Sequence, residues 1–206
     1  MNILENIQTA LIGMPLVELI SVITAIIYVV LAARKNIWCW LFGIISSIFW
    51  TYAAYQYYQL YVDALLQIYY VAMGVYGWYS WNRGFKLAAS EQLAITKMKN
   101  KEHIQIIVGG ILLTVLVGYF FKTYTAAVAT YLDAFTTVFA IITTVLVARK
   151  KLENWIYWIV IDLVYVYLYG SRGGYLFAAL NVIYIVVAYF GYLNWRKEIN
   201  EKVLTT

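Results

Sequence analysis

The chain has 206 residues, of which 64% are hydrophobic and 12% charged, and it carries a net charge of +5 at pH 7. Soluble domains are about half apolar and about a quarter charged, so this composition excludes a water-soluble globule and places the chain in lipid. The basic excess falls between apolar runs rather than on one amphipathic face, which excludes a nucleic-acid partner.

In chain order, residues 1–15 have no basic stretch ahead of an apolar core and read as an external N-terminal segment without a cleavable signal. Seven apolar runs of membrane-crossing length follow, allowing for tilt. They are Leu16–Ala33, Ile37–Tyr57, Tyr61–Trp81, Ile104–Phe121, Tyr131–Ala148, Asn154–Tyr169 and Tyr175–Trp195, the sixth being short by about a turn. Residues 82–103 form a loop and 196–206 a tail. The runs are continuous, without the alternation of a β-barrel strand. With seven spans the loops alternate sides; Lys122 and Arg172 fall on one side and every other lysine and arginine on the other. That asymmetry predicts a multi-pass protein of a bacterial inner membrane, N-terminus outside and C-terminus cytoplasmic. The lone histidine, His103, sits beside lysines at a membrane boundary and reads as solvated. Cys39, the one cysteine, allows no internal disulfide or cysteine metal cluster.

The second half repeats the first. Glu18, Arg34, Lys35 and Trp40 recur as Asp133, Arg149, Lys150 and Trp155 at an offset of 115. Tyr61, Gln67, Tyr70, Gly77 and Trp81 recur as Tyr175, Asn181, Tyr184, Gly191 and Trp195 at an offset of 114. The fold class that follows is an all-α membrane protein of seven transmembrane helices. Two parallel three-helix repeats (16–81 and 131–195) are joined by a linker helix (104–121). In such transporters the solute site lies near the midplane, between the repeats.

Ionisable groups inside spans are costly and point to function. Glu18, Asp63 and Asp133 lie near span ends, where an acid at a helix N-terminus also suits the dipole, and they read as interfacial caps. Asp162 stands apart in the middle of the sixth span. Trp155, Trp158, Asp162, Tyr165 and Tyr169 recur at +3, +4, +3 and +4, so all five share one helical face, and Asn154 begins the run. Rings plus one carboxylate suit a flat cationic or hydrogen-bonding solute. The corresponding face of the first repeat includes Trp40, Gly43, Ser47 and Trp50, where small residues leave room. Two readings of Gln67 and Asn181 stay open: amides that recognise a ribose or carboxamide, or helix–helix hydrogen bonds. No P-loop, HExxH, GxSxG or Cys–His arrangement appears, so no enzyme, cofactor or metal is expected and passive diffusion is the default mechanism.

Leu60-Tyr61-Val62-Asp63-Ala64-Leu65-Leu66-Gln67 followed by Tyr76-Gly77-Trp78, and Glu153-Asn154-Trp155 with Trp158, resemble signature segments of the PnuC family of bacterial vitamin transporters. The resemblance runs from about Leu16 to Trp195. It implies a three-plus-one-plus-three helix fold, as in sugar-conducting SWEET proteins, and a homotrimer in membrane lipid. It also implies passive uptake of nicotinamide riboside, retained by cytosolic phosphorylation for NAD biosynthesis. Trp155 and Trp158 match the family's site tryptophans and Asn154 belongs to that motif. Asp162, Tyr165, Tyr169, Gln67, Asn181, Trp50, Ser47 and Tyr184 complete the candidate substrate site. Relatives of the PnuT type carry thiamine, and others riboflavin; nicotinamide riboside and thiamine share a cationic heteroaromatic ring.

Overall fold

Inside a bilayer every backbone N–H and C=O must find a partner within its own segment, so an apolar chain in lipid folds as helix. The computed structural model describes residues 3–57, 61–82, 93–124 and 130–205, and it contains eight helices among the described residues. They are α1 (Ile3–Gly13), α2 (Leu16–Ala33), α3 (Cys39–Gln56), α4 (Tyr61–Asn82), α5 (Asn100–Tyr124), α6 (Thr130–Ala148), α7 (Asn154–Ser171) and α8 (Tyr175–Thr205).

Helix α1 is an element beyond the seven expected spans. Its 11 residues rise only about 16 Å, too short to cross, so it leaves no spanning signal in the sequence. It buries no side chain fully and packs against α8. Two further boundaries move. Helix α7 has 18 residues, a full span, and α8 continues for 31 residues through the segment expected to be a tail. Helices α2, α5, α6 and α8 contain stretches long and apolar enough to cross a membrane. Helices α3, α4 and α7 are of similar length but carry the Ser, Gln, Asp, Tyr and Trp residues that turn toward the interior, which lowers their apolar content.

Six helices close a ring. Each packs on the next in the order α2, α3, α4, α6, α7, α8, and α8 returns to α2; α5 packs against α6. The contacts between repeats pair the third helix of one with the first helix of the other, α4 with α6 and α8 with α2.

The repeat extends to single hydrogen bonds. Helix α2 ends with Lys35 N donating to Ala32 O and Asn36 N to Leu31 O. Helix α6 ends with Lys150 N donating to Val147 O and Lys151 N to Leu146 O. Lys35 and Lys150 accordingly sit in the left-handed region at φ 58° and 49°, each closing a Schellman motif at the same repeat position. The carbonyls at these helix ends are then bound across the ring. Trp81 Nε1 donates to Val147 O and Ser80 Oγ to Ala148 O, while Trp195 Nε1 donates to Ala32 O and Asn194 Nδ2 to Ala33 O. Every member of the second set is the repeat mate of one in the first.

These staples surround four tryptophans. Trp40 meets Trp81 edge-on at 5.4 Å, Trp155 meets Trp195 edge-on at 5.3 Å, and Trp81 and Trp195 approach to 6.1 Å between the repeats. Such geometry contributes about 0.5–1.5 kcal/mol per pair beyond burial. Gly77 and Gly191 make it possible, since a Cβ at either would run into the Trp40 or Trp155 indole. The quartet is the heart of the buried core and lies at the end where the basic residues collect.

The segment before α5 straps across this end. Thr96 pairs with the α6–α7 turn through Thr96 N to Lys150 O and Leu152 N to Thr96 O, Met98 N donates to Glu153 Oε2, and Ile95 joins the core. His103, expected to be solvated, instead has Nδ1 2.9 Å from the Tyr157 hydroxyl and stacks on that ring. The expected interfacial caps also part company. Glu18 is 2% exposed, whereas its repeat mate Asp133 reaches the surface 3.4 Å from Arg172. The Asp63 side chain, Arg83 and Lys86 lie outside the described residues.

Candidate functional site

Inside the ring is a cavity of about 310 Å³. Its walls come in repeat pairs: Trp40 with Trp155, Gly43 with Trp158, Ser47 with Asp162, Trp50 with Tyr165, Gln67 with Asn181, and Tyr70 with Tyr184 all line it. The pseudo-twofold relating the triplets therefore passes through the hollow. Because the small residues belong to α3 and the large ones to α7, the space is lopsided, with room on one side and rings on the other.

Of the residues singled out from sequence, Trp155, Trp158, Asp162, Tyr165, Tyr169, Gln67, Asn181, Trp50, Ser47 and Tyr184 all line this cavity. The 3.6-residue period brings the α7 set together, and the packing of α3, α4 and α8 adds the rest. Asn154 does not join them. It is fully buried in the α6–α7 turn, where Nδ2 donates to Lys151 O at 2.6 Å. Its Oδ1 is buried with no partner among the described residues.

The two ends of the cavity differ. At the basic end Trp40 and Trp155 of the quartet line it; Trp155 is 1% exposed, and among the described residues the indole N–H groups of both are buried without acceptors. At the other end Tyr165 stacks on Tyr169 at 5.8 Å, Tyr169 meets Phe177 at 5.4 Å, and Trp50 meets Phe177 edge-on at 6.0 Å. Trp158 is half-buried between these layers.

Asp162 is the one carboxylate in the lining, and among the described residues no lysine, arginine or histidine accompanies it. It is 4% exposed, and no described side chain hydrogen-bonds or ion-pairs with it. A carboxylate set in a low-dielectric hollow without a protein cation is costly as an anion, and a cationic solute would offset that cost. Nearby polar groups are partly committed: Asn181 Nδ2 donates to Phe177 O on its own helix, which leaves its carbonyl oxygen to accept. Ser21 and Ser46 also line the cavity but exchange hydrogen bonds with each other's carbonyls, clasping α2 to α3.

Sequence reasoning missed Tyr28, Tyr70, Thr144 and Phe177 as lining residues. Tyr70 was legible as the repeat mate of Tyr184. Phe177 and Tyr28 had no pattern of their own, because their place depends on how neighbouring helices cross.

A helical membrane protein with a hollow on the axis between two repeats, walled by rings and one acid, is built to hold a small solute; it is a transporter rather than an enzyme. The chain belongs to the nicotinamide mononucleotide transporter family, whose sequence profile matches residues 15–197. It is 26% identical to the nicotinamide riboside transporter PnuC of Escherichia coli, over 97% of this chain and 92% of that protein. It is 29% identical to the riboflavin/roseoflavin transporter RibM of Streptomyces davaonensis, over 86% of this chain and 83% of that one. A crystal structure of the vitamin B3 transporter PnuC has the same fold, with a TM-score of 0.74 at 22% identity, covering 97% of this chain and 90% of the other.

Proposed function

We propose that this chain carries nicotinamide riboside into the cytoplasm by facilitated diffusion across a bacterial inner membrane. The observation that carries the reading is Asp162, set among aromatic rings, with no basic side chain in the lining formed by the described residues. The solute pairs a pyridinium cation with a ribose. Trp158, Tyr165 and Tyr184 offer faces to the ring, each contributing about 0.5–2 kcal/mol to a cation, and Asp162 balances the charge. Gln67 and Asn181 stand across the axis for the ribose hydroxyls or the carboxamide. The relatives named for nicotinamide riboside support the choice; the riboflavin relative transports a larger, uncharged ring system that gains nothing from a lone acid.

In this reading α2–α4 and α6–α8 are parallel repeats, α5 is the linker, and the chain assembles as a homotrimer with N-terminus outside and C-terminus inside. The basic end is then cytoplasmic, and release requires the tryptophan quartet and its four cross-repeat hydrogen bonds to part. Among the described residues no second carboxylate and no basic side chain shares the lining to drive the cycle, so the solute runs down its gradient and intracellular phosphorylation traps it. Thiamine is the second reading, since its thiazolium also needs an acid among rings.

Proteoliposomes loaded with protein are expected to take up labelled nicotinamide riboside faster than empty vesicles, and only to equilibrium. Thiamine competing more strongly than the riboside would transfer the reading to thiamine; accumulation above equilibrium would end the passive mechanism.

A further inference from the structure

A second concave site lies on the outside of the ring. Between α5 and α6 runs a groove of about 400 Å³, floored by Gly109, Leu113, Ile142 and Leu146. Gly110 lets the helices approach closely here, because a Cβ at that position would meet the Phe139 ring at 2.6 Å. One residue earlier, a Cβ on Gly109 meets nothing within 4 Å, so the groove is open at that turn. From Glu102 to Leu113 it follows α5 for about 16 Å, the reach of a stretch of hydrocarbon chain rather than of a small anion. The neighbouring α5 side chains Ile107, Ile111 and Leu112 are 43%, 50% and 61% exposed, as in a helix face turned to lipid.

The mouth of the groove is cationic. Lys151 already has a partner, with its Nζ 3.5 Å from Glu102 Oε1, and the other oxygen of Glu102 accepts from Lys99 N at 2.6 Å. Arg149 has none: it is exposed, and no carboxylate among the described residues lies within ion-pairing distance of it. It directly follows the last residue of α6, at the level where the apolar span gives way to the basic end. A guanidinium fork matches the paired oxygens of a phosphodiester, and basic pockets between helices at this depth recognise anionic headgroups.

We propose that this groove binds one anionic phospholipid, with Arg149 on the phosphodiester and an acyl chain laid over Gly109 between α5 and α6. A free phosphate could use Arg149 but would leave the apolar floor uncovered. The inference does not depend on which solute the central cavity takes.

The test uses full-length protein in detergent, with dioleoyl-phosphatidylglycerol, dioleoyl-phosphatidylcholine or inorganic phosphate added. Retention is read by native mass spectrometry and stabilisation by thermal unfolding. Phosphatidylglycerol is expected to stay bound and raise Tm, while the other two do neither. Arg149→Gln and Gly109→Leu are each expected to weaken phosphatidylglycerol retention about tenfold, the loss of one charge-assisted contact or of the chain's seat, with Arg149→Lys intermediate. Circular dichroism of each variant without lipid guards against misfolding. Equal retention of phosphatidylcholine, or equal stabilisation by phosphate, overturns the proposal. So does unchanged retention in both folded variants, or a fall in oligomeric mass caused by either substitution, which would give the groove to a second copy.

Discussion

Replacing Trp81 or Trp195 by Phe keeps an aromatic ring in the quartet but removes one indole donor from a carbonyl of the opposite repeat, at 3.3 Å in both cases. Hydrogen bonds between helices in membranes average about 0.6 kcal/mol and reach about 1.7. If the staples hold the basic end closed, each single variant shifts the closed–open balance toward open by about 3-fold to about 20-fold. The two rings touch, with centroids 6.1 Å apart, so the double variant should exceed either single one, and its departure from the product of the two measures their coupling. A reporter cysteine at Ser47, in the cavity lining, is placed in a background where the buried Cys39 is replaced by Ala. Labelling by a membrane-impermeant maleimide from the basic side should then quicken in each variant, and most in the double. Unchanged labelling in both, or a response in only one of two symmetry-related bonds, would refute the gating role of the quartet.

Other expectations follow from the same geometry. Gly77→Ala and Gly191→Ala place a methyl group against a buried indole and should each destabilise by about 1–3 kcal/mol, read as a drop in Tm, while Gly13→Ala, with open space around it, should not. Trp158→Ala removes a base-sized stacking face from the cavity and should weaken solute binding by about 1–3 kcal/mol in a titration, while circular dichroism shows the helices retained. Asp133→Asn breaks an ion pair whose side chains are 44% and 45% exposed, so a thermal melt should register less than about 1 kcal/mol.

What could be read from the sequence was whatever a period or an offset carries. The α7 face from Trp155 to Tyr169 is a helical spacing, and helical spacing survives folding. The offsets of 115 and 114 marked Trp81 and Trp195 as equivalent, and the structure gives them equivalent bonds to Val147 and Ala32, which are 115 apart. What stayed hidden depends on the third dimension. Asn154 sits at the start of a motif but turns into the α6–α7 loop, because its amide serves Lys151 O. His103 looked solvated because Tyr157, its partner, lies 54 residues away across a helix pair. Helix α1 was missed because a spanning-length criterion ignores eleven residues, and Glu18 because a position near a helix start does not reveal what packs over it.

The central claim is that one carboxylate selects a cation inside the cavity. Titrating purified protein with nicotinamide riboside and with its dihydro form, which has nearly the same shape but a neutral ring, tests it most directly. The account predicts that the native chain prefers the cationic form by about tenfold or more, and that Asp162→Asn removes the preference while leaving binding of the neutral form intact. Equal affinities for the two forms in the native chain would contradict it.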